Sequence, residues 1–282
     1  MCGLVGVIRG RKAAELVAIG LHHNQHRAVD AAGIVSSNGR YLFRERGQGI
    51  VRNAFDADML DRLHGMSAIG HIRYATSGKE EDDKKYDNVQ PILGHFHGVQ
   101  IALAHNGNLT NVDELARHVS PAELTTTTDT EYILRLIERE KSHDIEHALK
   151  NVLAMLKGSF ELLILMPDRM IAVRDPQGNH PLSIGKADET YFISSETCAY
   201  PSVGATYLGE IDPGTFLTMM ESGEFRTTVY AEPKKKQCVF ELVYYAHPAS
   251  NVFGHSVGRF RQQLGRRLES ELGVPEADIV LG

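Results

Sequence analysis

The sequence predicts an α+β chain built from two sheets with helices packed outside them. Three observations carry that reading. Strand-like runs come first, starting at Gly3; helical patterns fill the middle, from about residue 111 to residue 156; a second set of strand-like runs then begins near residue 160. Hydrophobic residues make up 42% of the 282, enough to bury a sizeable core.

The elements follow in order. Residues 3–8 (GLVGVI) form a buried-strand pattern at the very start of the chain, and residues 13–23 carry helical apolar spacing. Strands are predicted at 33–35, 41–44, 68–72 and 99–105. Asn111 and Asp113 open a helical stretch through His118, Asp129 is placed to cap a helix reaching about Glu140, and residues 144–156 form a further helix. Strands return at 160–166, 170–174, 191–195 and 215–220. Residues 80–85 (EEDDKK) mix charge signs and read as a solvated loop. Residues 233–236 mark a boundary. Beyond it, residues 256–272 place Val257, Phe260, Leu264, Leu268 and Leu272 on one helical face, and residues 277–282 read as an apolar strand.

Charge and composition exclude several functions. Lys and Arg total 30 against 36 Asp and Glu, a net charge of −6 that argues against a nucleic-acid partner. No run reaches the roughly 18 apolar residues of a membrane span, and residues 1–10 lack the apolar core of a signal peptide, so a cytoplasmic protein is expected. The three cysteines, Cys2, Cys198 and Cys238, suggest neither a disulfide framework nor a metal pair. His22-His23-x-x-His26 lacks the spacing of a zinc helix and sits where a helix ends.

Cys2 stands apart because it follows the initiator Met, and its small size favours Met removal. The product would carry a thiol and a free α-amine on one residue. An α-amine titrates near 7.7–8.0, so it can take the thiol proton. The strand behind it would hold that terminus rigid. Four further groups follow: Gln25-His26-Arg27 with Ala32-Gly33-Ile34; His71-Ile72-Arg73-Tyr74-Ala75-Thr76-Ser77-Gly78; His105-Asn106-Gly107-Asn108, read as a turn after a strand; and Thr128-Asp129-Thr130-Glu131. Singly, each has a plain structural explanation, such as a hairpin turn at Asn106-Gly107 or a helix cap at Asp129.

Together and in this order, they resemble the class II, N-terminal-nucleophile glutaminase domain of the amidotransferases. Arg174-Asp175-Pro176-Gln177-Gly178 with Pro181-Leu182, Ser195-Glu196-Thr197-Cys198-Ala199 and Cys238-Val239-Phe240-Glu241 narrow the resemblance to the glutamine phosphoribosylpyrophosphate amidotransferase family. The resemblance implies a four-layer αββα sandwich of two antiparallel sheets, the Ntn-hydrolase fold. It implies catalysis by Cys2, with Asn106 and Gly107 stabilising the oxyanion, and glutamine binding by Arg27, Arg73, Tyr74, Thr76 and Asp129. It also implies residues 1–235 as the glutaminase domain, and residues 236–282 as a linker, helix and first strand of an incomplete phosphoribosyltransferase domain. Glutamine is the implied partner, with phosphoribosyl pyrophosphate reached only through that further domain, and a homo-oligomer is expected. No cofactor is expected in this chain; a longer parent would need Mg2+ and, in some members, a 4Fe–4S cluster, one of whose ligand positions Cys238 matches. The pattern departs from the family at Ala28, where glycine is usual, and at His180, where arginine is usual. A non-catalytic module of the same fold is the rival expectation.

Overall fold

The chain is described by a computed structural model over residues 1–74 and 86–273. The predicted loop at 80–85, the expected glutamine-binding residue Thr76 and the predicted strand at 277–282 lie outside the described residues.

The first sheet grows around β1 (Gly3–Ile8), whose six residues are all buried. Helix α1 (Ala13–His23) follows, then the hairpin of β2 (Ala31–Ser37) and β3 (Leu42–Gln48), two short helices α2 (Val51–Ala54) and α3 (Ala57–Arg62), and β4 (Ser67–Arg73). Next, β5 (Ile92–Phe96) and β6 (Val99–Leu109) start the second sheet, and α4 (Val112–Leu115), α5 (Asp129–Arg139) and α6 (Ile145–Met155) cross over it. Strands β7 (Gly158–Met166) and β8 (Arg169–Arg174) continue it; β9 (Ser183–Ala187), β10 (Thr190–Ser194) and β11 (Thr206–Glu210) return to the first sheet; β12 (Thr215–Met220) and β13 (Phe225–Val229) finish the second. A π-helical turn (Glu241–Tyr245) and α7 (Val257–Leu272) follow.

Both main sheets are antiparallel, in the orders β11-β9-β10-β1-β4-β2-β3 and β13-β12-β8-β7-β6-β5. Strand alternation sorts their side chains into layers. Leu4, Ile8, Ala104, Leu163, Ala172 and Ile193 meet between the sheets. Val5, Val7 and Ile72 face α1, and Leu162, Ile164 and Val173 face α5 and α6. The result is the four-layer αββα sandwich. Helix α1 can lie close on β4 because residue 70 is glycine: a Cβ there would come within 2.4 Å of Val17.

Several elements differ from the sequence reading. The segment His105–Asn108 is no turn; it continues β6 to Leu109 and pairs with β7 throughout. The apparent Asn-Gly turn is overridden because Glu161, Phe160 and Ser159 supply ladder partners for Asn106, Gly107 and Asn108. Gly107 fits this strand at φ 145°, where a Cβ would lie 2.0 Å from the Ser159 carbonyl oxygen. Asp129 does not cap α5. Thr128 holds the cap position, while Asp129 lies in the first turn and accepts the Leu109 N–H at 2.8 Å. The helix predicted from Asn111 is a single short turn, α4. Strands β5, β9, β11 and β13, with helices α2 and α3, come from segments to which the sequence reading assigns no element; β11 and β13 are largely exposed, so they lack the apolar alternation that marks a buried strand. On α7, Leu264, Leu268 and Leu272 are exposed. No helix among the described residues is long and apolar enough to cross a membrane.

Candidate active site

The start of β1 sits between β4 and β10, so position 2 emerges at the end of the first sheet with both neighbours paired behind it. Ser195 fixes that exit twice: its N–H donates to Leu4 O at 3.0 Å, and its hydroxyl accepts the Leu4 N–H at 2.9 Å. Cys2 is 9% exposed. Its Sγ accepts the Tyr74 N–H at 3.5 Å and lies 3.8 Å from Tyr74 O. Burial pushes the thiol up, against the Tyr74 N–H and the nearby cations Arg27 and Arg73. A thiol in that state needs a base to become a nucleophile.

Two buried polar systems grip the Cys2 backbone. From one side, Arg27 donates Nε–H to Cys2 O at 2.9 Å. Its Nη1 then reaches Glu196 Oε1 (2.6 Å) and Glu241 Oε2 (3.0 Å), and its Nη2 reaches Glu241 Oε1 (2.8 Å). His26 Nε2 also meets Glu196 at 2.7 Å, and His180 Nδ1 meets Glu241 at 3.0 Å. The other Glu196 oxygen accepts the His247 N–H at 2.7 Å and the Ser250 hydroxyl at 2.8 Å. Despite burial, these donors hold Glu196 down at about 2, and Arg27 with His180 holds Glu241 below its usual range.

From the other side, the Cys2 N–H donates to Asn106 Oδ1 at 3.0 Å, and Asn106 Nδ2 donates to Glu161 Oε2 at 3.1 Å. Asn106 lies on β6 and Glu161 opposite it on β7. Glu161 is fully buried; burial first, and then the neighbouring Asp175, push its carboxyl well above the usual range. That environment favours its protonated form.

A buried thiol, an amide wired to its backbone nitrogen and a strand glycine beside that amide form the set that an acyl-transfer nucleophile needs. Residues 71–200 match the family model of the glutamine amidotransferase domain. Over that stretch the chain is similar to a glutamine amidotransferase domain. Over its full length it is 38% identical to amidophosphoribosyltransferase of Bacillus subtilis and covers 59% of that protein; it is 37% identical to the chloroplastic amidophosphoribosyltransferase of Glycine max and covers 49% of it. The chain thus spans about half to three-fifths of the curated relatives it matches. Among solved structures, the glutamine phosphoribosylpyrophosphate amidotransferase of B. subtilis complexed with ADP and GMP superposes with a TM-score of 0.90 at 36% identity, over 99% of this chain and 62% of that one.

Cys2, Arg27, Tyr74 and Asn106 are joined by direct hydrogen bonds, and Gly107 follows Asn106 on β6. Arg73 ends β4 half-buried and lies within electrostatic range of Cys2. Arg27 differs from its expected place in the glutamine pocket. It is 2% exposed and braces Cys2 from behind. Asp129 is placed on the far side of β6, where His105 Nδ1 stands 3.7 Å away; burial opposes its charge, but His105 and the Leu109 N–H hold its carboxyl below the usual range. A cavity of about 460 Å³ opens beside it, lined by Asn108, Leu109 and Thr127. A roomier cavity of about 750 Å³ lies between α1 and α2–α3, away from Cys2.

Sequence reasoning gave no role to Glu161, Glu196 or Glu241. One signal was present: Glu161 interrupts the run Phe160–Met166, which is otherwise apolar. Cys238 is partly buried, and its N–H donates to Asn179 O at 3.0 Å. With three cysteines in the sequence and no metal-competent group of three His, Cys, Asp or Glu among the described residues, the residues present do not fit a four-thiolate cluster. The two departures from the family pattern are also accommodated. Ala28 has φ −163°, extended backbone open to any residue, and His180 pairs with Glu241.

Proposed function

We propose that this chain hydrolyses the side-chain amide of glutamine through a thioester on Cys2, and that the ammonia serves 5-phosphoribosylamine formation from phosphoribosyl pyrophosphate in purine biosynthesis. The observation that carries the reading is the Asn106 amide bonded to Cys2 N beside a buried thiol. With Met1 in place, Cys2 N is a peptide nitrogen and cannot act as a base. Removal of Met1 makes it an amine. That amine takes the thiol proton, and Sγ attacks the amide carbon. The resulting ammonium donates to Asn106 Oδ1, while Asn106 Nδ2–H and the Gly107 N–H stabilise the oxyanion. Collapse expels ammonia as the amine returns its proton to the leaving nitrogen. Water then cleaves the thioester, releasing glutamate and restoring the thiol. Arg73 and Asp129 supply the opposite charges that a free amino acid's carboxylate and ammonium require. Transfer of that ammonia to phosphoribosyl pyrophosphate is the acceptor half of the reaction. Its assignment rests on similarity to amidophosphoribosyltransferases along the full length, including residues 236–273.

Intact mass before and after treatment with diazo-oxo-norleucine tests the glutaminase step. Loss of Met1 and one adduct, absent from Cys2→Ala, is the expected result. A processed chain that takes no adduct overturns the reading in favour of a non-catalytic module.

A further inference from the structure

We infer that Glu161 is a positioning residue for this site: it fixes the Asn106 amide with its oxygen toward Cys2 N and one N–H left over for the developing oxyanion. The inference rests on the glutaminase reading above and deepens it.

The argument begins with an anomaly. Strand β7 reads GSFELLILM, and its one acid is 0% exposed. An ionised carboxylate buried there would need a cation. Arg174 is its register partner on β8, but the guanidinium donates instead to His180 O, Glu210 and Ile211 O. Asp175 stands next to Glu161 and accepts the Gln177 N–H at 2.7 Å and the Phe160 N–H at 3.4 Å. Burial first, with Asp175 beside it, raises the Glu161 carboxyl well above its usual range, so the site favours a protonated Glu161 that accepts the Asn106 Nδ2–H on Oε2.

Asn106 and Glu161 are directly opposed across antiparallel strands, so both side chains project to the same face, into the layer between the sheets. An asparagine amide has one acceptor and two donors in a plane. Here the acceptor is on Cys2 N, and one donor is on Glu161 at 3.1 Å. Planarity then sets the direction of the second N–H. Without an acceptor at position 161, nothing on that side distinguishes the two amide orientations. The flipped form would turn N–H groups toward the Cys2 ammonium and withdraw the donor from the oxyanion.

The test measures glutamine hydrolysis by the processed chain in wild type, Glu161→Leu and Glu161→Gln, with a thermal melt of each. Leu removes the acceptor and leaves one buried Asn106 N–H unpaired, a change that costs stability. The expected Leu variant melts below wild type but stays folded at the assay temperature, and its kcat falls about tenfold with KM within about twofold, a smaller loss than deletion of the oxyanion donor itself. Gln keeps a neutral acceptor and is expected to restore kcat to within about threefold of wild type. Should Leu fail to fold, Glu161→Met makes the same deletion with a more adaptable chain. A Leu or Met variant with wild-type kcat, or Leu and Gln equally impaired, overturns the inference while wild-type turnover leaves the glutaminase reading standing. A wild-type chain with no turnover overturns both.

Discussion

Two carboxyl groups lie at equal depth on either side of Cys2, and their pKa values are pushed in opposite directions. Glu196 and Glu161 are each 0% exposed. Burial alone would raise both. Glu196 instead drops to about 2, because His26, Arg27 and the His247 N–H point at it, while at Glu161 burial prevails and the neighbouring acid Asp175 adds to it. At equal depth, the partners make the difference. The charged side holds the Cys2 carbonyl with a cation whose own charge is spent on Glu196 and Glu241. The neutral side presents a dipole to the Cys2 nitrogen, which is the atom that must change protonation state during the reaction. A fixed charge beside that atom would bias its proton; a neutral acid does not.

The largest effect should come from breaking the charged side. Arg27→Met leaves Glu196 and Glu241 buried without their shared cation. Removing one partner from such a set costs on the order of 3–5 kcal/mol. A thermal melt at pH 7 should show it, and the deficit should shrink toward pH 4 as the orphaned carboxylates protonate. A variant melting like wild type at pH 7 would mean that the histidines alone hold the glutamates. On the neutral side, Asn106→Ala should cost less stability but lower kcat by about 10²–10³, the usual loss for one oxyanion donor. A kcat within a few-fold of wild type would remove Asn106 from that role.

The same contrast predicts opposite pH dependences. Glu196 has a depressed folded pKa, so its stabilisation is present above the unfolded value near 4.5 and is lost as pH falls toward about 2. Glu161 has a raised folded pKa, so its contribution is greatest below about 4.5 and fades as pH rises, because the unfolded chain ionises first. The melting temperature of Glu161→Leu relative to wild type should therefore climb between pH 4 and pH 7. A flat difference would show that Glu161 is ionised in the fold.

How far the sequence could go follows from the same chemistry. Local pattern marked β1, α1 and β12 at their observed bounds, because each has unbroken apolar periodicity. Cys2 and Asn106 entered the reading through the order of the motifs and the family they resemble; by itself the Asn-Gly pair reads as a turn. Arg27, Glu196 and Glu241 were not legible as a unit. They are 169 and 214 residues apart along the chain, and only the sandwich brings them together. Glu241 comes from beyond the boundary read at residues 233–236, where the chain folds back to the first sheet. Gly107 misled for a related reason: glycine suits a turn as well as this strand, and the choice is made by its β7 partner Phe160, 53 residues away.

The smallest predicted effect concerns Ala28, where the family pattern has glycine. The structure gives it φ −163° and 3% exposure, in a segment whose N–H donates to Gln25 O at 3.2 Å. Alanine is unstrained in that backbone, and glycine would gain no conformation it needs there. Glycine would instead enlarge the freedom of the unfolded chain. Ala28→Gly should thus lower stability by about 0.4–1 kcal/mol, read as a small drop in melting temperature, with kcat for glutamine hydrolysis unchanged. The Arg27 side chain reaches Cys2 from the preceding turn, so its grip does not depend on what residue 28 carries. A rise in kcat in the glycine variant would show that the methyl group crowds the bound substrate, and would move Ala28 from the scaffold into the pocket.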